Sequence, residues 1–139
     1  MLLVHGTCVD LDGRGILLRG PSGSGKSDLA LRLIDGGAKL VADDQVELRR
    51  DGGRVLARAP ITLSGRIEIR GLGIVSLPYV TDTALYGIVD LVAPEAVERM
   101  PEPRKVALLD AEFPVVSLAP FEASAAAKLR RFAGLIGAP

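Results

Sequence analysis

The stretch Gly20-Pro21-Ser22-Gly23-Ser24-Gly25-Lys26-Ser27 fits the pattern G-x-x-x-x-G-K-[ST]. That pattern is a phosphate-binding loop, and its chemistry is the holding of a nucleotide's phosphates. Its glycines let backbone N–H groups turn inward on a phosphate, and a following helix N-terminus adds partial positive charge. Lys26 would reach the β- and γ-phosphates, and the Ser27 hydroxyl would face a Mg²⁺ ion. Lys26 is expected to face solvent, outside the core. Downstream, Asp43 and Asp44 close the apolar run Leu40-Val41-Ala42. A carboxylate at a strand end, after a phosphate loop, suits the organising of Mg²⁺. Neighbours on a strand point to opposite faces, so only one of the two faces the phosphates if the strand persists. Asp is also common in turns, which is the plainer reading of the pair.

Three further groups carry possible chemistry. Glu68 and Arg70 stand at i and i+2, on one strand face, beside Gly71-Leu72-Gly73. Glu68 could complete the shell of Mg²⁺, which takes few protein oxygens; a surface ion pair with Arg70 is the alternative. His5 lies in an apolar strand, where a lone histidine is more often structural. Arg99, Arg104 and Lys105 lie on a Pro-rich loop, where cations usually contact solvent. A mobile cationic loop could also stabilise charge on a transferring phosphoryl group.

The elements that must position these residues follow from periodicity and punctuation. Ile16-Leu17-Leu18 is a short apolar run, read as a buried strand over Ile16–Arg19 that feeds the loop. Ser27–Ile34 carries Leu29, Leu31, Leu33 and Ile34 without Gly or Pro, and reads as a helix stopped near Asp35-Gly36-Gly37. Leu3–Val9 reads as a first strand containing His5, and Asp12-Gly13-Arg14-Gly15 as a hairpin-like turn. Lys39–Asp43 is a third strand. Gln45–Arg50 and Arg54–Ala59 form a hairpin around Asp51-Gly52-Gly53. Ile67–Ile69 is short, and the paired glycines after it mark positive φ or a close approach. Leu85–Val92, Val106–Leu109 and Val115–Leu118 are strands, with a polar loop over Val97–Lys105. Ala123–Ile136 is a helix, with Glu122 and Ser124 as start signals. The expected fold is α/β: a mixed, largely antiparallel sheet with one helix at the phosphate loop and one at the C-terminus.

The 139 residues suffice for one domain with a real core, taken as residues 1–139. With 48% hydrophobic and 24% charged residues the chain is globular rather than disordered. Its formal net charge is zero and no Lys/Arg block occurs, which disfavours nucleic acid as a partner. No apolar run approaches the length of a membrane span. The N-terminus lacks a basic region followed by a long apolar one, so no signal peptide is expected. The single cysteine, Cys8, reads as a small core residue, and a reducing, cytoplasmic setting is expected.

Together these residues resemble the catalytic domain of HPr kinase/phosphorylase, the bacterial enzymes acting on a serine of the phosphocarrier protein HPr. The resemblance runs from His5-Gly6 through Gly20–Ser27 and Leu40–Asp44 to Glu68-Ile69-Arg70-Gly71-Leu72-Gly73-Ile74. The last stretch is far more specific than the phosphate loop. Together these segments cover roughly the first half of the chain; the second half matches in strand pattern only. The resemblance implies ATP and Mg²⁺ as cofactors, His5 and Lys26 in the active site, and Ser27 and Glu68 on the metal. It implies Asp44 as acceptor of the serine proton, with Asp43 beside it. Arg99 best matches the family's loop arginine, with Arg104 as the alternative, and the family's homo-oligomeric, hexameric state is implied as well.

The departures from the family are specific. The resemblance starts directly at the catalytic domain, so neither the family's N-terminal domain nor the C-terminal extension that helps hold HPr is expected to contribute here. The segment after Gly73 is shorter than usual. Ala119-Pro120-Phe121-Glu122-Ala123-Ser124 lies where the family has a glycine-arginine-asparagine motif tied to dephosphorylation, and holds none of those residues. The expected activity is therefore serine phosphorylation of HPr with weakened phosphorolysis. Arg130 or Arg131 is a candidate replacement for the lost arginine. A small-molecule kinase and a non-catalytic nucleotide sensor are the rival readings.

Overall fold

The predicted first strand is two strands. In the computed structural model, which describes residues 1–137, β1 (Leu2–His5) and β2 (Thr7–Leu11) part at Gly6. A side chain at Gly6 would stand 2.7 Å from the Leu18 carbonyl oxygen, so this close crossing needs glycine. β3 (Arg14–Arg19) follows through a turn at Asp12-Gly13. Both turn residues have positive φ, 53° and 86°, as a two-residue hairpin turn requires. Next come α1 (Lys26–Asp35), β4 (Lys39–Ala42), β5 (Gln45–Asp51) and β6 (Arg54–Arg58). The chain continues with β7 (Arg66–Ile69), β8 (Gly73–Ser76), β9 (Thr83–Leu91), β10 (Arg104–Leu108), β11 (Ala111–Leu118) and α2 (Ala125–Leu135). Residues 138 and 139, the end of the expected 1–139 domain, lie outside the described residues.

β1, β5, β6, β9, β3, β2 and β4 lie side by side in that order, and β11 joins β9, with β10 beyond it. β3 and β11 pair with β9 in parallel, while the other strand pairings are antiparallel. The fold is thus the expected mixed, largely antiparallel α/β sheet with two helices. β7 and β8 form a separate hairpin. The sequence reading missed β8, because Gly71 and Gly73 read as marks of positive φ or close approach rather than as the start of a strand. Gly71 and Gly73 both have positive φ, 93° and 91°, with open space where a Cβ would sit. Backbone sign, not close approach, is what they supply.

Continuous apolar runs mark strands buried on both faces. Ile16 and Leu18 of β3, Leu40 of β4 and Val89 of β9 pack under the helices with Leu29, Leu33, Leu129 and Ile67. Their neighbours Leu17, Val41 and Ile88 pack on the opposite face with Cys8, Val46, Leu48, Leu85 and Phe113. Cys8 is fully buried, and burial pushes its thiol pKa well up, so it is the inert core residue expected. Arg14 of β3 donates to the carbonyls of Ala133 (2.6 Å) and Ile136 (2.8 Å), which ties the end of α2 to the sheet.

The expected loop Val97–Lys105 is cut short, since Arg104 and Lys105 belong to β10. β11 likewise starts before its expected bound, with Pro114 inside it. Pro114 is tolerated because it lies beside Lys105 of β10, while pairing with β9 begins only at Val115.

Candidate active site

The loop Gly20–Ser27 joins the C-terminal end of β3 to α1. Gly25 is the residue before the helix and lies in the left-handed region, φ 99°. A Cβ there would also crowd Phe121 Cζ (2.9 Å) and Pro120 Cβ (3.1 Å). Ser22 and Gly23 form the exposed tip, with Gly23 at φ 81°, and Ser24 N–H closes the turn on the Pro21 carbonyl at 3.0 Å. The Ser24 hydroxyl is buried without a hydrogen-bond partner among the described residues.

Lys26 is not solvent-facing as expected. It is the first residue of α1 and only 7% exposed, with Nζ donating to the carbonyls of Gly20 (2.7 Å) and Pro21 (3.0 Å). The loop curls back over its own lysine, which is why a charged residue can be buried there. Burial lowers the Lys26 pKa, while the negative charges of Asp44 and Asp43 act against that lowering.

Asp43 organises the centre of the site. It is 7% exposed, and its Oδ1 accepts hydrogen bonds from Ser27 Oγ (2.7 Å) and Thr7 Oγ1 (2.9 Å). Its Oδ2 accepts from the backbone N–H of Glu68 at 3.0 Å. One carboxylate therefore joins α1, β2 and β7. The strand β4 ends at Ala42, so Asp43 and Asp44 diverge because the chain turns, not because a strand alternates. Gln45 N–H donates to the Asp43 carbonyl at 2.9 Å, with Asp44 between them at φ 72°. A three-residue turn of that sign is strained for a residue other than glycine. It sends the Asp44 carboxylate outward, 67% exposed, where His5 Nε2 lies 3.1 Å from Oδ1. Gly6 N–H holds the Asp44 carbonyl at 3.0 Å. The breaks at Gly6 and at Asp43–Asp44 lie side by side, because β1 pairs with β5 and β2 with β4.

The remaining sequence candidates divide. Glu68 is brought to the centre through its backbone, and its side chain is exposed on β7. Arg70 is exposed just beyond that strand and makes no ion pair with Glu68 among the described residues. Arg99 lies in the segment before β10 and touches none of the loop, Asp43 or Asp44 by a hydrogen bond among the described residues. Arg104 and Lys105 line a cavity of about 770 Å³ with Tyr86, Glu112, Phe132 and Ile136, walled by β10, β11 and α2 rather than by the loop. Arg130 does not replace a lost arginine at the loop. Its guanidinium donates to the Leu33 carbonyl at 3.4 Å, at the far end of α1.

Sequence reasoning missed several residues around the loop and Asp43. Thr7, fully buried, looks like an ordinary β-branched strand residue until its hydroxyl is seen on Asp43. Arg19, the residue before the loop, forms a two-pronged pair with Asp90 (2.7 and 3.0 Å) across the parallel strands β3 and β9. Seventy-one positions of sequence separate that pair. Pro120 and Phe121 close over the loop, and Arg32 of α1 donates to the Pro120 carbonyl.

The donor set suits Mg²⁺. The Ser27 hydroxyl and an Asp43 carboxylate held by neutral donors are hard oxygens at a phosphate loop, and that ion takes one or two carboxylates plus phosphate oxygens. No cluster of three or more His, Cys, Asp and Glu occurs among the described residues. No described helix is long and apolar enough to cross a membrane.

Comparison with known proteins gives a consistent result. Residues 1–98 match the family model described as the HPr Serine kinase C-terminal domain. An HPr kinase/phosphorylase of Clostridium tetani is 46% identical over 85 residues, covering 61% of this chain and 26% of that protein. That of Clostridium beijerinckii is 44% identical over 89 residues, covering 64% and 28%. The chain spans about a quarter of the length of the curated relatives it matches. The solved structure of the Hpr(Ser) kinase/phosphatase from Coxiella burnetii matches with a TM-score of 0.82 at 26% identity, covering 95% of this chain and 97% of that one.

Proposed function

The chain belongs to the HPr serine kinase C-terminal domain family, and from that premise we propose that it is an ATP- and Mg²⁺-dependent protein serine kinase acting on the phosphocarrier protein HPr. The observation that carries the proposal is the Asp43–Asp44 pair: one carboxylate buried against Ser27 of the phosphate loop, the next turned outward beside His5. In this proposal residues 1–139 act as one catalytic domain within a homo-oligomer.

The chain's own groups divide the work. The Gly20–Ser27 amides and Lys26 hold the phosphates, with the Lys26 ammonium exchanging the Gly20 and Pro21 carbonyls for phosphate oxygens. Asp44 is exposed enough to reach a protein serine and accepts its hydroxyl proton. His5 holds the Asp44 carboxylate in place. Ser27, Asp43 and Glu68 would hold Mg²⁺, which when bound neutralises charge on the phosphate oxygens. Arg99 is assigned to the cationic loop that meets the protein substrate.

The same site is proposed to run phosphorolysis weakly, a reaction in which inorganic phosphate takes the phosphoryl group from phosphoserine-HPr and leaves as pyrophosphate. The segment 119–122 offers no cation for the incoming phosphate. Glu122 itself is negative there, and its carboxylate accepts from Lys128 at 3.1 Å. The experiment is incubation with Mg²⁺-ATP and HPr, followed by mass spectrometry for phosphoserine. Absence of phosphoserine on HPr, with ATP hydrolysed or transferred to small metabolites instead, contradicts the proposal.

A further inference from the structure

Beside the phosphate loop lies a second cavity, of about 410 Å³. Pro21 and Ser24 of the loop form one side of it. Leu91 at the end of β9, the following residues 92–94, and Pro120, Phe121 and Glu122 line the rest of it. Among its lining residues only Ser24 and Glu122 have polar side chains. Phe121 is 69% exposed, an unusual position for a ring with no partner layer above it. Its placement is fixed from below. The ring sits against Gly25, and the preceding Pro120 carbonyl is held by Arg32 of α1. Glu122 is tied to Lys128 at the start of α2.

We propose that this cavity receives the base of the nucleoside triphosphate whose phosphates the loop holds, with the base stacked on Phe121. The inference rests on the nucleotide reading above and deepens it. Continuity decides the occupant: Pro21 and Ser24 belong both to the loop and to the cavity wall, so a ligand with phosphates on the loop enters the cavity with whatever lies at its other end. A flat, weakly polar ring fits an apolar slot with one exposed aromatic face. Stacking is tolerant of base identity, and the wall presents few hydrogen-bonding groups. The segment Ala119–Glu122, which lacks the residues tied to dephosphorylation, acquires in this way a role in binding the donor.

The test compares ATP with inorganic tripolyphosphate, which has the phosphates but no base. Calorimetry with Mg²⁺ measures both affinities for the wild type and for Phe121→Ala. With the ring 69% exposed, Phe121→Ala should keep the fold, which circular dichroism checks. Phe121→Ala is expected to weaken ATP about 10-fold or more, from the usual contribution of one base–aromatic stack, while tripolyphosphate affinity stays within about 2-fold of the wild type. The chain contains no tryptophan, so Phe121→Trp supplies a single reporter. ATP should quench its fluorescence and tripolyphosphate should not. Equal weakening of both ligands would mean that Phe121 only props the loop, and unchanged ATP affinity would mean that the base lies elsewhere; either overturns the pocket and leaves the phosphate site standing. A wild type that binds neither ligand removes the nucleotide reading itself, and the pocket with it.

Discussion

Ser27 Oγ donates a 2.7 Å hydrogen bond to Asp43 Oδ1, so the first turn of α1 and the end of β4 meet on a single carboxylate oxygen. Thr7 and the Glu68 N–H complete that carboxylate from two other elements. Every donor is neutral, so the negative charge is held in place without being cancelled. A charge kept in that way is suited to a cation brought in with the phosphates.

Thr7→Val tests this arrangement at its least obvious member. The change keeps the shape and removes one donor to Asp43. It should cost about 1.5–3 kcal/mol of stability, as for a buried hydrogen bond to a charged group, and should raise the Mg²⁺ concentration needed for transfer. Asp43→Asn should raise that requirement further. Denaturant unfolding and Mg²⁺ titration of the transfer rate are the measurements. An unchanged Mg²⁺ requirement in both variants refutes the metal role of Asp43.

Asp44 occupies strained backbone, φ 72°, and Asp44→Gly separates fold from function. Glycine relieves the left-handed strain but adds freedom to the unfolded chain, two effects of similar size. Stability should stay within about 1 kcal/mol of the wild type, while phosphoryl transfer collapses. A large loss of stability would assign Asp44 a structural role instead.

Much of the fold was legible because its signals are local. The loop, its flanking strand and helix, the Asp12-Gly13 turn and the two helices follow from glycine placement and from spacing. The mixed, largely antiparallel sheet followed from many short strands and few helices. What escaped depends on partners far away in sequence. Gly6 reads as a strand residue until the Leu18 carbonyl is found against it. Lys26 reads as exposed until the loop carbonyls close on it. Thr7 and the Arg19–Asp90 pair have no local signature, and Arg104 reads as loop because the prolines before it hide the start of β10. Within the site, the sequence named Asp43 and Asp44 but not the turn that separates them.

The Lys26 ammonium should give phosphate binding a limb at high pH. Burial sets its folded pKa below that of an unfolded lysine. Between the two values the unfolded chain binds more protons, so stability rises with pH across that window. Phosphate binding moves the other way, falling as pH climbs through the folded pKa and the charge is lost. Lys26→Arg keeps its charge there and should flatten the fall. Tripolyphosphate affinity against pH in the two proteins gives the comparison; an identical high-pH decline in both assigns it to another group.

Phosphorolysis should lag behind the kinase reaction. Given phosphoserine-HPr, inorganic phosphate and Mg²⁺, the protein should release pyrophosphate and dephosphorylated HPr more slowly than it phosphorylates HPr from ATP. Quantifying both products settles the ratio. Comparable rates would show that segment 119–122 is not what limits that direction.

The central claim is that the phosphate loop and Asp44 form one site for transfer to a protein serine. The most direct measurement is single-turnover phosphorylation of HPr by the wild type and by Asp44→Asn, with Mg²⁺-ATP affinity measured in parallel. Loss of a positioned base predicts a fall in transfer on the order of 10²-fold or more, with ATP binding unchanged. Transfer by Asp44→Asn at the wild-type rate would contradict the account.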